Sequence, residues 1–186
     1  MRFTQIDRIV SLKNGESVKA VKCLSLSEDY LADHFPRFPV MPGVLMLEAI
    51  YQASMFLVRS TDDFQHSMVV LKETRNLKFQ GFVQPGDQLV VSAEYHAAKN
   101  NTVRLKVVGE IEGRVAVSGV VVLEKFNLAA RGMASGATDD YINWKFKQRF
   151  KLLFNQLTAG SESIGPSQPA APESSLGRPG LSLRAS

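Results

Sequence analysis

Between Pro42 and Val58 the chain is apolar almost all the way round an α-helix, with Val44, Leu45, Met46, Leu47, Ala49, Ile50, Tyr51, Ala53, Met55, Phe56, Leu57 and Val58 leaving no wet face. A helix of this kind has to be enclosed by other elements. At about seventeen residues it is near the lower limit for a bilayer span, and it carries Glu48, Gln52 and Ser54. It therefore reads as a buried core helix, with no integral membrane segment. Pro42 suits the first helical turn, where its missing N–H costs nothing. Gly43 beside it leaves a backbone N–H open to a ligand oxygen at the positive end of the helix dipole.

Glu48 is the anomaly in that helix. A buried glutamate needs a partner or a job, because burial raises a carboxyl pKa. Gln52, four residues on, shares its face and can support it by a hydrogen bond. The plain alternative is a structural ion pair with one of the 22 Lys and Arg residues. His34, just upstream, reads by itself as a packed or loop histidine. Together, His34, the amide at Gly43 and Glu48 form a candidate general base, electrophilic stabiliser and general acid. Pro36, Pro39 and Pro42 stiffen the intervening loop.

His34-Phe35-Pro36, then Pro39-Val40-Met41-Pro42-Gly43-Val44-Leu45-Met46-Leu47-Glu48-Ala49, then Gln52, resembles the signature of the hotdog-fold (3R)-3-hydroxyacyl-acyl-carrier-protein dehydratases of fatty acid synthesis. Lys78-Phe79 followed by Val83-Gln84-Pro85-Gly86-Asp87-Gln88-Leu89 is similar to a later strand and turn of that family. The resemblance covers roughly Arg2 to Phe126. It implies an α+β hotdog fold, an antiparallel sheet wrapped around a long central helix. It also implies dehydration of a 3-hydroxyacyl thioester on acyl carrier protein to the trans-2-enoyl thioester, with no metal or redox cofactor. His34 would be the base, Glu48 the acid, and the Gly43 N–H would bind the thioester carbonyl. In the family two units pair edge to edge, often as a trimer of dimers, and His34 of one subunit faces Glu48 of the other. A geometric argument leads the same way, since the helix rises about 7 to 8 Å from Gly43 to Glu48. Two departures concern the substrate more than the reaction: Arg37 and Phe38 stand where the family usually has Gly and then Arg or Asp. Tyr51 replaces a usually small residue. Arg37 reads either as a solvated loop residue or as a contact for phosphopantetheine or an acidic carrier.

The remaining patterning agrees with that fold. Gln5–Leu12 and Ser17–Leu26 read as strands around an Asn-Gly turn, and a short helical turn is expected near Ser27–Leu31. After the helix, Ser67–Thr74 continuing to Phe79, Gln88–Ala98, Thr102–Glu112 and Arg114–Phe126 read as strands. Val103, Leu105 and Val107 alternate with Arg104 and Lys106, which predicts one buried and one wet face. The expected organisation is a hotdog domain over 1–128, a linker over 129–138, an amphipathic helix over 139–157 and a disordered tail over 158–186. Asp139 and Asp140 suit that helix's N-terminal end. The helix reads as docked on its own dimer, or as a carrier-protein or membrane-surface contact.

Composition excludes little beyond this. The net charge of +4 suits an acidic carrier protein, and no basic cluster with interleaved aromatics points to nucleic acid. Cys23, a lone cysteine expected to pack in a strand, fits a reducing cytosol, and the polar first ten residues do not read as a signal segment. A cytoplasmic enzyme is the expectation. His66 and His96 lack metal-ligand spacing. Two other readings of the fold remain: a hotdog acyl thioesterase, and a non-catalytic acyl-binding module.

Overall fold

A computed structural model describes residues 4–154. Six strands form one antiparallel sheet: β1 (Arg8–Lys13), β2 (Ser17–Cys23), β3 (Met68–Phe79), β4 (Gln88–Lys99), β5 (Thr102–Ile111) and β6 (Arg114–Phe126). Their order across the sheet is β1-β2-β4-β5-β6-β3. The central helix α1 (Gly43–Thr61) packs on one face, and a second helix α2 (Gly136–Phe154) follows the sheet. This is the expected α+β hotdog arrangement.

Alternation explains which face meets the helix. Along β5, Val103, Leu105 and Val107 are buried, whereas Arg104 and Lys106 are exposed. Leu89, Val91 and Ala93 on β4 and Val121 and Leu123 on β6 fill the same core, against Ala49, Ile50, Ala53 and Leu57 of α1. Each fully buried Ile or Leu side chain contributes about 1.5–3 kcal/mol relative to exposure. The enclosure of α1 is uneven. From Ala53 to Arg59 every residue is buried. In the first two turns Val44 is 71% exposed, and Leu45, Leu47, Glu48 and Tyr51 are half-buried. The helix that reads as dry on all sides is thus covered at its C-terminal half and open along one flank of its N-terminal half.

Several boundaries differ from those read off the sequence, and hydrogen bonds explain the differences. The Asn14-Gly15 turn is present, with Gly15 at φ 71 and Glu16 N–H donating to Lys13 O at 3.0 Å. β1 starts at Arg8, not Gln5, because the Gln5 N–H goes to the Gln52 side chain at 2.9 Å. β2 stops at Cys23, after which Leu24 N–H donates to Asp87 O at 3.0 Å. Cys23 is exposed, contrary to the expectation that it packs inside. α1 runs on to Thr61, whose hydroxyl donates back to Leu57 O at 2.7 Å.

Helix α2 begins at Gly136, three residues before the expected start at Asp139. Ser135 acts as its cap, its Oγ accepting from Thr138 N–H at 3.3 Å. Asp139 does not cap its own helix. Its carboxylate reaches back to accept from Leu128 N–H at 2.9 Å and Ala129 N–H at 3.0 Å, binding α2 to the chain leaving β6. The expected linker therefore includes a short 3-10 turn, Ala129–Arg131. Phe146 and Phe150 of α2 pack on Phe56 of α1, with ring centroids 6.3 and 6.0 Å apart. Arg59, only 2% exposed, lies under the Phe146 ring at 3.9 Å. It donates to His66 O at 2.6 Å and Ser67 O at 2.7 Å. Burial lowers its guanidinium pKa to about 10, so it stays charged at neutral pH. Residues 155–157 of the expected helix and the expected tail 158–186 lie outside the described residues. Among the described residues no helix is long and apolar enough to cross a membrane.

Burial pushes the Asp139 carboxyl up, but hydrogen bonds from Ser67 and from the Ala129 and Leu128 amides outweigh it and hold the group below its ordinary value. A lowered folded-state pKa stabilises the fold above the unfolded carboxyl pKa of about 3.9 and loses that contribution as pH falls through the folded value. Asp139→Ala is expected to cost about 1–3 kcal/mol in urea denaturation at neutral pH. The difference between mutant and wild type should shrink when the measurement is repeated below about pH 4.

Candidate active site

The loop from His34 to Pro42 is built by short-range backbone bonds. Phe35 N–H donates to Phe38 O at 3.2 Å and Phe38 N–H returns to Phe35 O at 2.9 Å, while Val40 N–H donates to His34 O at 3.1 Å. The His34–Phe35 peptide is cis. Met41 N–H donates to Val83 O at 2.8 Å, anchoring the loop to the segment that follows β3. Within this frame the His34 ring stacks on Phe35, centroids 4.4 Å apart. Its Nδ1 lies 3.0 Å from Val40 O. A carbonyl can only accept, so Nδ1 carries the proton and Nε2 keeps its lone pair. That is the tautomer a general base needs.

His34 and Gly43 line one cleft of about 390 Å³, together with Phe35, Met46, Phe79 and Phe82. As the first residue of α1, Gly43 has an N–H without an intrahelical acceptor. The Phe79 ring lies so close that a Cβ at position 43 would sit 3.2 Å from its Cε1. A side chain here would press on the Phe79 ring and crowd the approach to the amide. The position of Phe79 comes from a bulge in β3, where the pairing with β6 shifts between Arg75 and Lys78. Asn76 takes φ 51 in this bulge. Gly119 opposite makes room, since a Cβ there would be 2.9 Å from Leu77 Cα. These two residues were not singled out in the sequence. An Asn inside a long strand and a Gly in the partner strand are the sequence signals of such a bulge.

Glu48 is not part of this cleft's lining. Five residues after Gly43 it lies about 140° further round the helix, on the flank that exposes Val44. It is half-buried, so the enclosure expected for it is not reached within one chain. Its Oε1 accepts from Gln52 Nε2 at 2.8 Å, and Gln52 Oε1 accepts from Gln5 N–H at 2.9 Å. Among the described residues no ion pair joins Glu48 to a Lys or Arg, unlike Lys22, whose ammonium is buried against Glu28. Tyr51 on the same flank donates its hydroxyl to Val69 O at 2.7 Å, tying α1 to β3. This bond gives the unexpected tyrosine a structural role. Arg37 is exposed, as a solvated loop residue would be, and Phe38 packs edge-on against Phe82 with centroids 5.7 Å apart. Among the described residues no group of three or more His, Cys, Asp or Glu side chains is placed to hold a metal ion.

One chain thus unites the imidazole and the helix-start amide in a cleft and holds a hydrogen-bonded carboxylate on a different side of the same helix. A FabA-like domain is matched over residues 1–125. The chain belongs to the FabA-like family. A 3-hydroxyacyl-acyl-carrier-protein dehydratase, FabZ, of Ruminiclostridium cellulolyticum is 35% identical over 119 residues, 64% of this chain and 84% of the relative. A FabZ of Streptococcus agalactiae is 34% identical over 116 residues, 62% of this chain and 82% of the relative. Among solved structures, the dehydratase heterocomplex ApeI:P of Xenorhabdus doucetiae matches with a TM-score of 0.57 at 15% identity, over 68% of this chain and 85% of that one. A hypothetical thioesterase of Streptococcus pneumoniae with coenzyme A matches at a TM-score of 0.51 and 14% identity, over 64% and 85%. The two structures share the fold. The family match ends at residue 125, before α2 begins.

Gly43→Ala is expected to lower kcat/KM about tenfold or more, by pushing Phe79 into the cleft and shielding the amide. Thermal unfolding should move little, because a few tenths of an ångström of side-chain movement relieves the contact. Phe79→Leu in the same chain is expected to restore part of the loss in a steady-state assay.

Proposed function

We propose that this FabA-like protein dehydrates 3-hydroxyacyl chains carried on acyl carrier protein, with His34 and Glu48 as base and acid, in a site completed by a second copy of the chain. The observation that carries the reading is the His34 ring, held through Nδ1 by Val40 O so that the basic Nε2 is free in a cleft shared with the Gly43 amide.

The reaction breaks a C2–H bond and a C3–O bond, and each needs help. His34 Nε2 takes the C2 proton, and the electron pair left behind delocalises onto the thioester carbonyl before forming the C2=C3 double bond. The Gly43 N–H faces the carbonyl oxygen while charge develops there, an interaction of a kind worth about 3–4 kcal/mol when lost. Glu48, protonated, gives its proton to the departing C3 hydroxyl, which leaves as water. Gln52 supports Glu48 by the hydrogen bond it donates to Oε1. Every step runs on side-chain and backbone groups of the protein.

Three features favour the dimer. Glu48 lies away from the cleft that holds His34 in the same chain. Its flank exposes Val44 and half-exposes Leu45, Leu47 and Tyr51, an apolar surface in need of cover. β3 beside it is an outer strand of the sheet, with no strand on its other edge among the described residues, a template for pairing with the same strand of a second copy. A twofold axis there brings His34 of each chain to Glu48 of the other and makes two equivalent sites. The net charge of +4 suits an acidic carrier protein as the substrate's bearer.

His34→Ala and Glu48→Gln are each expected to abolish turnover of a 3-hydroxyacyl carrier-protein thioester, followed by mass spectrometry of the enoyl product, while leaving the fold intact. Unfolding and refolding the two variants together at equal amounts should restore about one quarter of wild-type activity, because half of the random dimers carry one intact site of two. No recovery in correctly assembled mixed dimers would refute the shared site. Release of free acid without enoyl product would replace dehydration by hydrolysis.

A further inference from the structure

We propose that helix α2, which lies beyond the family match, positions the carboxylate of Glu48: Arg149 holds Thr4, and the adjoining Gln5 amide fixes the Gln52 side chain that binds the acid. The inference rests on the proposed role of Glu48. Arg149, Thr4, Gln5 and Gln52 are positioning residues in it.

Each link is a specific hydrogen bond. Arg149 Nη2 donates to Thr4 Oγ1 at 3.1 Å in a partly buried contact. The next residue, Gln5, is only 3% exposed, and its backbone N–H donates to Gln52 Oε1 at 2.9 Å. A backbone N–H can only donate, so it must meet the oxygen end of the Gln52 amide. The nitrogen end is thereby turned towards Glu48, where Nε2 donates to Oε1 at 2.8 Å. If the Gln5 amide withdrew, Gln52 would lose a bond that favours this orientation. A flipped amide would then present an oxygen to the carboxylate.

A second, independent contact joins the same elements. Glu48, Gln52 and Phe56 recur at four-residue intervals and form one stripe along α1. Phe56, at the far end of that stripe, packs between Phe146 and Phe150 of α2. α2 therefore holds the stripe directly at Phe56 and through the amino-terminal segment at Gln52. The matched family region ends at residue 125, so this part of the acid's support comes from a segment that follows the matched region.

The test uses the full chain. Arg149→Met and Thr4→Val are compared with the conservative variants Arg149→Lys and Thr4→Ser. A control on the same helix is Lys147→Met, whose ammonium pairs with exposed Asp63 at 3.1 Å. Steady-state dehydration is measured, together with the side-chain NH2 signals of Gln52 in a 15N-labelled protein. The expected result for Arg149→Met and Thr4→Val is a fall in kcat of about tenfold with KM changed less than about twofold, since a misplaced catalytic group costs turnover more than binding. Their Gln52 NH2 signals should shift, the conservative variants should recover most of kcat, and Lys147→Met should match wild type. Folded Arg149→Met and Thr4→Val variants with wild-type kcat, or with lowered kcat but unmoved Gln52 signals, would overturn the proposal. If Arg149→Met fails to fold, Thr4→Val decides alone. A wild-type protein that shows no dehydration sinks the catalytic reading. The Gln52 signals then still report whether α2 sets the orientation of that amide.

Discussion

The packing of α1 against the sheet is the contact on which the rest of the structure depends. A helix with Ala49, Ile50, Ala53 and Leu57 at helical spacing buries its stripe on the alternating apolar residues of β4, β5 and β6. This fixes both the rotation of the helix and its position along the strands. Rotation decides that Gly43 opens to the cleft and that Glu48 does not. Position decides that the helix start meets Phe79 at the end of β3, so that amide, imidazole and aromatic wall converge. A register slip of one residue in any central strand would turn its core side chains outward and remove the seat of the helix.

The two outer strands of the sheet are treated differently. β1 has α2 packed alongside it, and α2 in turn covers the C-terminal half of α1 with Phe146 and Phe150. β3, beside the exposed flank of α1, has no strand on its other edge among the described residues. An apolar flank and an open strand edge on the same side form one surface, and the proposed twofold partner covers both at once. The uneven burial of α1 matches that proposal: its dry half is covered within the protomer, and its half-wet half is the part a second copy would cover.

Polar groups near the site are arranged so that each has one allowed role. Val40 O selects the His34 tautomer, and the Gln5 N–H selects the Gln52 orientation. Both selections use a backbone group, which cannot change its hydrogen-bonding sense. Arg59 serves the other end of α1 in a similar manner, its two terminal guanidinium nitrogens donating to His66 O and Ser67 O and its plane roofed by Phe146. A buried cation so placed ties the helix, the start of β3 and α2 together.

The sequence by itself determined the central helix, the alternation of β5, the Asn14-Gly15 turn and the chemistry available at His34, Gly43 and Glu48. These are local properties: side-chain polarity at a fixed helical or strand period, a turn that needs positive φ, and functional groups at stated positions. Tertiary structure alone decided which His34 nitrogen bears the proton, that Phe79 crowds Gly43, that Asp139 binds the chain after β6 in place of its own helix, and that Cys23 faces solvent. It also decided that Gln52 is held from Gln5, 47 residues away in the chain. Each of these depends on a partner brought near by the folding of distant segments, and no periodicity records such a partner. Glu48 shows the division most clearly, since its place on the helix is legible in the sequence, while its exposure on the flank beside the open edge of β3 appears only in the fold.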